Sequence, residues 1–353
     1  MRLEKRDGTS LAALLAAPLG AVAFTLLAAT GLVLWAGAPV GRTWLLMLQG
    51  GFGSAFALTE TLTRATPLML TGLAATVAFR ARLYNIGAAG QLYAGAIAAV
   101  AVGGLHGGSG FDAPPALLLA GAMLAAALAG ALLLLGPALL KSRLGVDEVV
   151  TTLLLNFIVL LGVSALLDGP MKDPLAMGWP QSVGLNPAIE LSRLVERTRL
   201  HSGLLAALAA AVALWGLLRF TVWGFDIRAT GANARGAAFA GVPVGRTVVL
   251  VALLSGALAG LAGAIEVAGR TGYVTLDMSP GYGYSGIVVA MLAGLHPLGV
   301  VGASVFVAGI LVGADSMSRA VGVPTYLADA MVAIALIAVL VAGLLTRYRV
   351  RWR

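Results

Sequence analysis

Stretch after stretch of this chain runs for about 20 residues without a charged side chain, and no other feature limits its fold so strongly. A bilayer core of about 30 Å needs about 20 apolar residues in helical form, and within it every backbone N–H and C=O must find a partner inside the protein. Charge-free runs give ten approximate spans: 11–36, 64–79, 86–103, 115–139, 149–167, 203–219, 247–265, 284–297, 299–314 and 327–346. The runs are continuous and not short alternations, so helices are expected instead of a barrel. The expected fold class is all-α, a polytopic transmembrane bundle of about ten spans with broken helices. Spans 64–79 and 284–297 are short. Only His296 and Pro297 separate 284–297 from 299–314, which predicts a broken or re-entrant element there.

Composition agrees. Charged residues make up 11% of the 353 and hydrophobic ones 59%, with a mean hydropathy of +0.96. A soluble globule carries about 25% charged residues and needs polar cover, so soluble enzymes, disordered chains and nucleic-acid-binding proteins are excluded. With no cysteine there is no disulfide framework and no thiolate ligand or nucleophile. Arg2, Lys5 and Arg6 precede an apolar run longer than the roughly 7–15 residues of a signal-peptide core, so a retained signal-anchor helix is expected.

The net charge of +8 reads as topology. With ten spans and an internal N-terminus, fifteen of the 23 basic residues fall on the cytoplasmic side and eight outside. Four of the outer eight lie in loop 168–202, where Asp168, Asp173, Glu190 and Glu196 balance them. The whole chain, 1–353, thus reads as one transmembrane domain in the inner membrane. It has a cytoplasmic N-terminus (1–10), an external loop (168–202), a cytoplasmic loop (219–246) and a basic cytoplasmic tail (347–353). In that tail Arg347, Arg349, Arg351 and Arg353 alternate with Tyr348, Val350 and Trp352, as expected of an anchor on anionic headgroups.

Several chemistries are missing. None of Lys5, Lys141 and Lys172 follows a glycine, so no P-loop exists to cradle ATP. His106, His201 and His296 are isolated and read as loop or interface residues, so no metal site is expected. No nucleophile with a partnering base stands out, which makes a membrane enzyme a remote third reading. Asp147, Glu148, Glu266 and Asp329 sit at span ends, and no mid-span acid is available to carry a coupling proton. Sodium coupling through carbonyls and hydroxyls stays open, so an ion-coupled carrier is the second reading. A pump powered by a separate ATPase fits best.

Other residues offer chemistry. Asn85-Ile86-Gly87-Ala88-Ala89-Gly90-Gln91 interrupts the third span, just beyond Arg80 and Arg82. Glycines at 87 and 90 loosen the helix, while Asn85 and Gln91 bring donors and acceptors suited to a neutral polar solute. A broken helix beside such side chains marks a translocation path, although a tight turn packed through small residues explains them equally well. Asn156, in a leucine-rich span, must face protein or a wet cavity, with Thr152 one turn before it. Tyr282 and Tyr284 with Gly281, Gly283 and Gly286 form an aromatic entry to the eighth element, for stacking or for interface anchoring. In loop 219–246, Asn233 can cap a short helix over 234–240 that Gly241 ends before Pro243. With Arg228, Arg235 and Arg246 around it, that helix suits docking, or is a plain connector. Loop 168–202, with Pro170, Pro174, Pro180, Pro187 and Trp179, has the size of a lid or receptor contact, or of an ordinary ordered loop.

Across residues 60–345 the sequence resembles the permease subunits of bacterial ABC importers of the branched-chain amino acid, simple sugar and nucleoside superfamily. The resemblance rests on Thr66-Pro67-Leu68 with Leu70-Thr71-Gly72-Leu73-Ala74, on Phe79-Arg80 and the 85–91 motif, and on Gly145-Val146-Asp147-Glu148-Val149 leading to Leu155-Asn156. It extends to Lys172-Asp173-Pro174, Gly224-Phe225, Arg228-Ala229, Gly231-Ala232-Asn233, Gly286-Ile287-Val288-Val289-Ala290 and Leu295-His296-Pro297-Leu298-Gly299. The family commonly has Glu where this chain has Ala89, so no role tied to that acid transfers. The resemblance implies a nucleoside or similar small polar solute, with a ribose-type monosaccharide as the alternative. It also implies a cytoplasmic ABC ATPase holding ATP and Mg, a second homologous permease subunit and an external solute-binding lipoprotein. No cofactor is then expected in this chain. The solute path would use Asn85, Gly87, Gly90, Gln91, Asn156 and Tyr284. Coupling to the ATPase would use Gly224, Arg228, Gly231, Asn233, Arg235 and Gly241.

Overall fold

A computed structural model describes residues 2–5, 11–104, 114–322 and 324–351. Arg6, His106, Trp352 and Arg353 lie outside the described residues. The described chain is helical apart from two short strands, and it divides into two compact units, residues 1–61 with 305–353 and residues 62–304.

In the first unit, strands β1 (Arg2–Lys5) and β2 (Tyr348–Arg351) pair antiparallel, Leu3 opposite Val350. Helix α1 (Leu11–Trp35) lies against α13 (Thr325–Arg347), so both ends of the chain sit at one end of this unit. Between α1 and α2 (Val40–Phe52) the chain turns by 117°. Helix α2 packs on the later half of α12 (Pro297–Val321) through glycine. A Cβ on Gly51 would meet the Gly309 carbonyl oxygen at 2.4 Å, and one on Gly313 would meet that of Met47 at 2.2 Å.

The second unit contains most of α3 (Ala55–Arg80), then α4 (Ala88–Gly103), α5 (Pro115–Leu144), α6 (Glu148–Asp168) and α7 (Gly203–Phe220). It continues through α8 (Val222–Ala232), α9 (Ala234–Phe239), α10 (Val244–Glu266) and α11 (Tyr282–Leu292). Its core is α4, α5 and α10, brought to backbone contact by glycines. A Cβ on Gly130 would meet the Gly256 oxygen at 2.2 Å, one on Gly260 that of Ala126 at 2.1 Å, and one on Gly263 that of Leu92 at 1.9 Å. Packing of small residues replaces a hydrophobic driving force that lipid does not supply. The span Val244–Thr271 is accordingly 67% buried, whereas Glu148–Asp168, with Leu154, Phe157 and Leu161 outward, is 17% buried.

Among the described residues, six helices are long and apolar enough to cross a bilayer, or seven if the bent pair in the first unit is one span. The sequence led to an expectation of about ten. Two of the ten, 86–103 and 284–297, are the short helices α4 and α11, whose 16 and 11 residues fall below a full span. The expected 64–79 span starts earlier, at Ala55, because Glu60 and Arg64 do not interrupt α3. The break expected near His296 falls at 293–296, where Gly294 and Leu295 take positive φ angles of 59° each. Loop 169–202 is ordered. Leu191 N–H donates to Ala268 O at 2.9 Å, and Ser182 exchanges backbone and hydroxyl bonds with Val274.

Candidate functional site

The interruption between α3 and α4 is where the fold builds its polar centre. After Arg80 the chain turns through Arg82, a non-glycine residue at φ 54°, and α4 restarts at Ala88 with Gly87 as an N-cap that has no side chain to offer. Helix starts leave N–H groups unpaired, and a buried start needs an outside acceptor. Asn156 of α6 supplies one. Its Oδ1 accepts from Gly90 N–H at 2.7 Å, and its Nδ2 donates to Ile86 O at 2.9 Å and to the Tyr284 hydroxyl at 3.2 Å. One amide thus caps α4 from a neighbouring helix and joins it to α11.

Asn85 and Gln91 face each other across the same turn. Asn85 Nδ2 donates to Gln91 Oε1 and Gln91 Nε2 donates to Asn85 Oδ1, both at 2.9 Å. Asn85 Nδ2 also donates to Ser255 Oγ at 3.0 Å, and Gly87 N–H donates to Asn85 Oδ1 at 3.0 Å. Ser255 in turn donates to Ala74 O at 2.8 Å, which ties the pair to α3 and α10. Both amides are buried and much of their hydrogen-bonding capacity is spent inside the protein. The six path residues expected from the sequence therefore come together at one place. Five are interior, and Tyr284, 43% exposed, is the one that opens to the surroundings. A Cβ at 90 would stand 2.9 Å from Asn156 Oδ1, so glycine leaves room for the bond that this oxygen accepts from Gly90 N–H.

Lys141, Glu148 and Thr152, which are not among the residues expected from the sequence, complete the site. Glu148, Thr152 and Asn156 lie at i, i+4 and i+8 along α6 and read the backbone of the interruption in order. Tyr84 N–H donates to Glu148 Oε1 at 3.2 Å and Ile86 N–H to Thr152 Oγ1 at 3.3 Å. Lys141 at the end of α5 pairs with Glu148 and donates to Arg82 O at 2.7 Å. The four-residue spacing was a signal in the sequence, but nothing in it named the backbone groups those side chains would meet.

The six residues expected to couple to an ATPase lie on or beside α8 and α9. Thr221 Oγ1 caps α8 by accepting from Gly224 N–H at 3.0 Å, and Asn233 Oδ1 caps α9 by accepting from Gly236 N–H at 3.1 Å. Gly241 follows at φ 89°. Two of the six are contact points. A Cβ on Gly224 would meet the Leu217 oxygen of α7 at 2.2 Å, and one on Gly231 would meet the Arg80 oxygen of α3 at 1.8 Å. Arg228, Asn233, Arg235 and Gly241 are exposed. Phe239, which the sequence reading passed over, is 97% exposed on α9. Arg80 links this region to the next break, its Nε donating to Leu295 O at 2.7 Å.

At the far end of α10 the helix widens to a π-turn over Val267–Thr271. Across it Arg270 pairs with buried Glu266 and donates to Met278 O at 3.0 Å. Among the described residues no cluster of three His, Asp or Glu side chains could hold a metal ion.

The chain also has recognisable relatives. The profile of the family described as "Branched-chain amino acid transport system / permease component" matches residues 57–340. The guanosine ABC transporter permease protein of Bacillus subtilis is 36% identical over 320 residues, covering 90% of each chain. The glucose ABC transporter permease protein of Haloferax volcanii is 36% identical, covering 84% of this chain and 79% of its own. The nucleoside ABC transporter permease protein of Lactococcus lactis subsp. cremoris is 30% identical, covering 76% and 74%. No solved structure matches.

Proposed function

Because this chain belongs to the family of branched-chain amino acid transport system permease components, it is a multi-pass membrane permease subunit, and we propose that it carries a nucleoside into the cell. The observation that carries the reading is the long match to the guanosine permease, reinforced by the nucleoside permease. The site chemistry suits the same cargo. A nucleoside is neutral, with a planar base and several hydroxyls, and Tyr284 presents an aromatic face whose hydroxyl Asn156 holds in place. A monosaccharide is the second reading, supported by an equal 36% identity to the glucose permease.

In this reading a cytoplasmic ATPase binds α8 and α9, with ATP and Mg on that partner, and a second homologous permease and an external solute-binding lipoprotein complete the importer. The whole chain acts as one permease of about ten spans, with both termini in the cytoplasm. Phe239 is an apolar knob for a groove on the ATPase, and Arg228 and Arg235 flank it. Motion of α8 bears on Arg80 through Gly231. Arg80 opens the interruption that leads to Asn85 and holds the α11–α12 break through Leu295. Rearrangement of the Asn85, Gln91 and Asn156 amides around α4 then opens the path beside Tyr284.

Uptake of labelled guanosine, ribose and glucose in native cells, with and without this chain, tests the proposal. Deletion is expected to abolish nucleoside uptake and spare the sugars. ATP depletion should stop that uptake while ionophores do not. Loss of glucose uptake alone would move the assignment to sugars, and uptake that ionophores stop while ATP persists would overturn the ABC mechanism.

A further inference from the structure

A cavity of about 340 Å³ opens where the start of the interruption, the end of α5, the α8–α9 turn and the start of α10 meet. Its wall includes Arg82, Lys141, Ser142, Thr230 and Gly245. None of the roles above uses it.

Three features of the wall point to one kind of ligand. The first is charge: Arg82 and Lys141 bring two cations, and of these two only Lys141 has an ion-pair partner among the described residues, Glu148. The second is the start of α10. Its N-cap is Pro243, which offers no side-chain acceptor, and Gly245 stands in the first turn with open space where a Cβ would be. First-turn amides of a long helix bind anions readily. The third is independent of both. Thr230 is 3% exposed, yet its hydroxyl has no partner among the described residues. Several helical threonines here bond back four residues, as Thr66 does to Leu62 O at 3.0 Å and Thr247 to Pro243 O at 3.1 Å, whereas Thr230, like Thr76 of α3, does not. A buried hydroxyl left unpaired is costly, and this one lines the cavity.

We propose that this cavity binds a phosphate group. Arg82, Lys141, Ser142, Thr230 and the start of α10 line it together, and a set of cations, hydroxyls and helix amides suits a tetrahedral oxyanion better than a planar carboxylate. Two sources share that chemistry, the headgroup of an anionic phospholipid and free phosphate. Leu140 and Leu144, exposed on either side of Lys141 and Ser142, leave apolar surface next in sequence to two of the residues that line it, as a lipid source would need. A bound phosphate would bridge Thr230 of α8 to Arg82 of the interruption and brace the joint that the proposed coupling motion must move.

The test uses the purified full chain and reads its melting temperature. In uncharged detergent, inorganic phosphate is set against chloride at equal ionic strength. In nanodiscs, phosphatidylcholine is set against phosphatidylcholine with phosphatidylglycerol. A rise of about 3 °C is expected in at least one arm, the responding arm naming the source. Arg82→Gln and Thr230→Val should each lose the rise. Thr230→Val should also melt higher than the parent without ligand, because it removes the unpaired hydroxyl, a result that a purely structural role for Thr230 would reverse. No rise in either arm, or an equal rise in both variants, overturns the proposal. Neither ATPase nor solute enters the experiment, so its failure leaves the transport reading standing.

Discussion

Single side chains here act on backbone more than on one another. Asn156 closes three bonds at once, two of them to the backbone of the α3–α4 interruption. Asn156→Leu leaves Gly90 N–H and Ile86 O unpaired in a dry interior. It should lower unfolding stability by about 2–4 kcal/mol, read as a fall in melting temperature, and reduce solute uptake with it. Tyr284→Phe is a sharper probe. It removes one hydroxyl while Asn156 Nδ2 keeps its bond to Ile86 O, so stability should change by less than about 1 kcal/mol while the apparent affinity for solute weakens. His201 sits in the loop before α7, buried, its Nδ1 accepting from Gly203 N–H at 3.2 Å. Burial, and then the Arg270 charge, pull its pKa from 6.5 down to about 4. The unfolded chain therefore takes up this proton first. Stability is full above pH 6.5 and falls as pH drops towards 4, by about 3 kcal/mol at most. His201→Asn keeps an acceptor and should flatten the melting temperature across that window.

Among the elements, α8 and α9 are short and polar enough to be mistaken for a loop, yet each carries its own cap. Alanine in an exposed helix ordinarily outperforms glycine, but at 231 the added Cβ would sit 1.8 Å from the Arg80 oxygen. Gly231→Ala should therefore destabilise by about 2–3 kcal/mol and uncouple ATP hydrolysis from uptake. Phe239→Ser should do the opposite. The ring is 97% exposed, so the chain's melting temperature should hold within about 0.5 kcal/mol of stability, while co-purification of the ATPase is lost. Retained co-purification would remove α9 as the docking element. The half-length helices follow similar logic. Helix α4 stops short because its first turn is spent around the Asn85 and Asn156 amides. A larger side chain at Ala89 would press on Gly283, whose own Cβ would stand 2.3 Å from Ala89 N.

For the whole molecule, orientation is the decisive expectation. The sequence contains no cysteine, so a single engineered one reports without background. With loop 168–202 outside and α8–α9 inside, Ala176→Cys should react with an impermeant maleimide in intact cells, and Ala240→Cys only after lysis. The reverse pattern would place the coupling helices outside and end the ATPase reading. The terminal strands pair, so Arg349→Cys should react from the same side as Leu3→Cys.

Much of this was legible in the sequence, because hydropathy is a local property. Charge-free runs already specify membrane and helix, and their lack of a P-loop or mid-span acid points to an outside energy source. The α9 cap at Asn233 and its stop at Gly241 were legible for the same reason, since capping acts within three or four residues. The bounds of the elements were not. Glu60 and Arg64 interrupt the hydropathy of α3 without interrupting its helix, and the length of α4 depends on partners 66 residues away. Nor could the sequence decide whether Asn85, Gln91 and Asn156 bond to each other or face open space. An amide in an apolar run must be satisfied, and that much the sequence determined by itself. Which group satisfies it depends on which helices meet, and here glycine-to-backbone contacts among α4, α5 and α10 decide that in three dimensions.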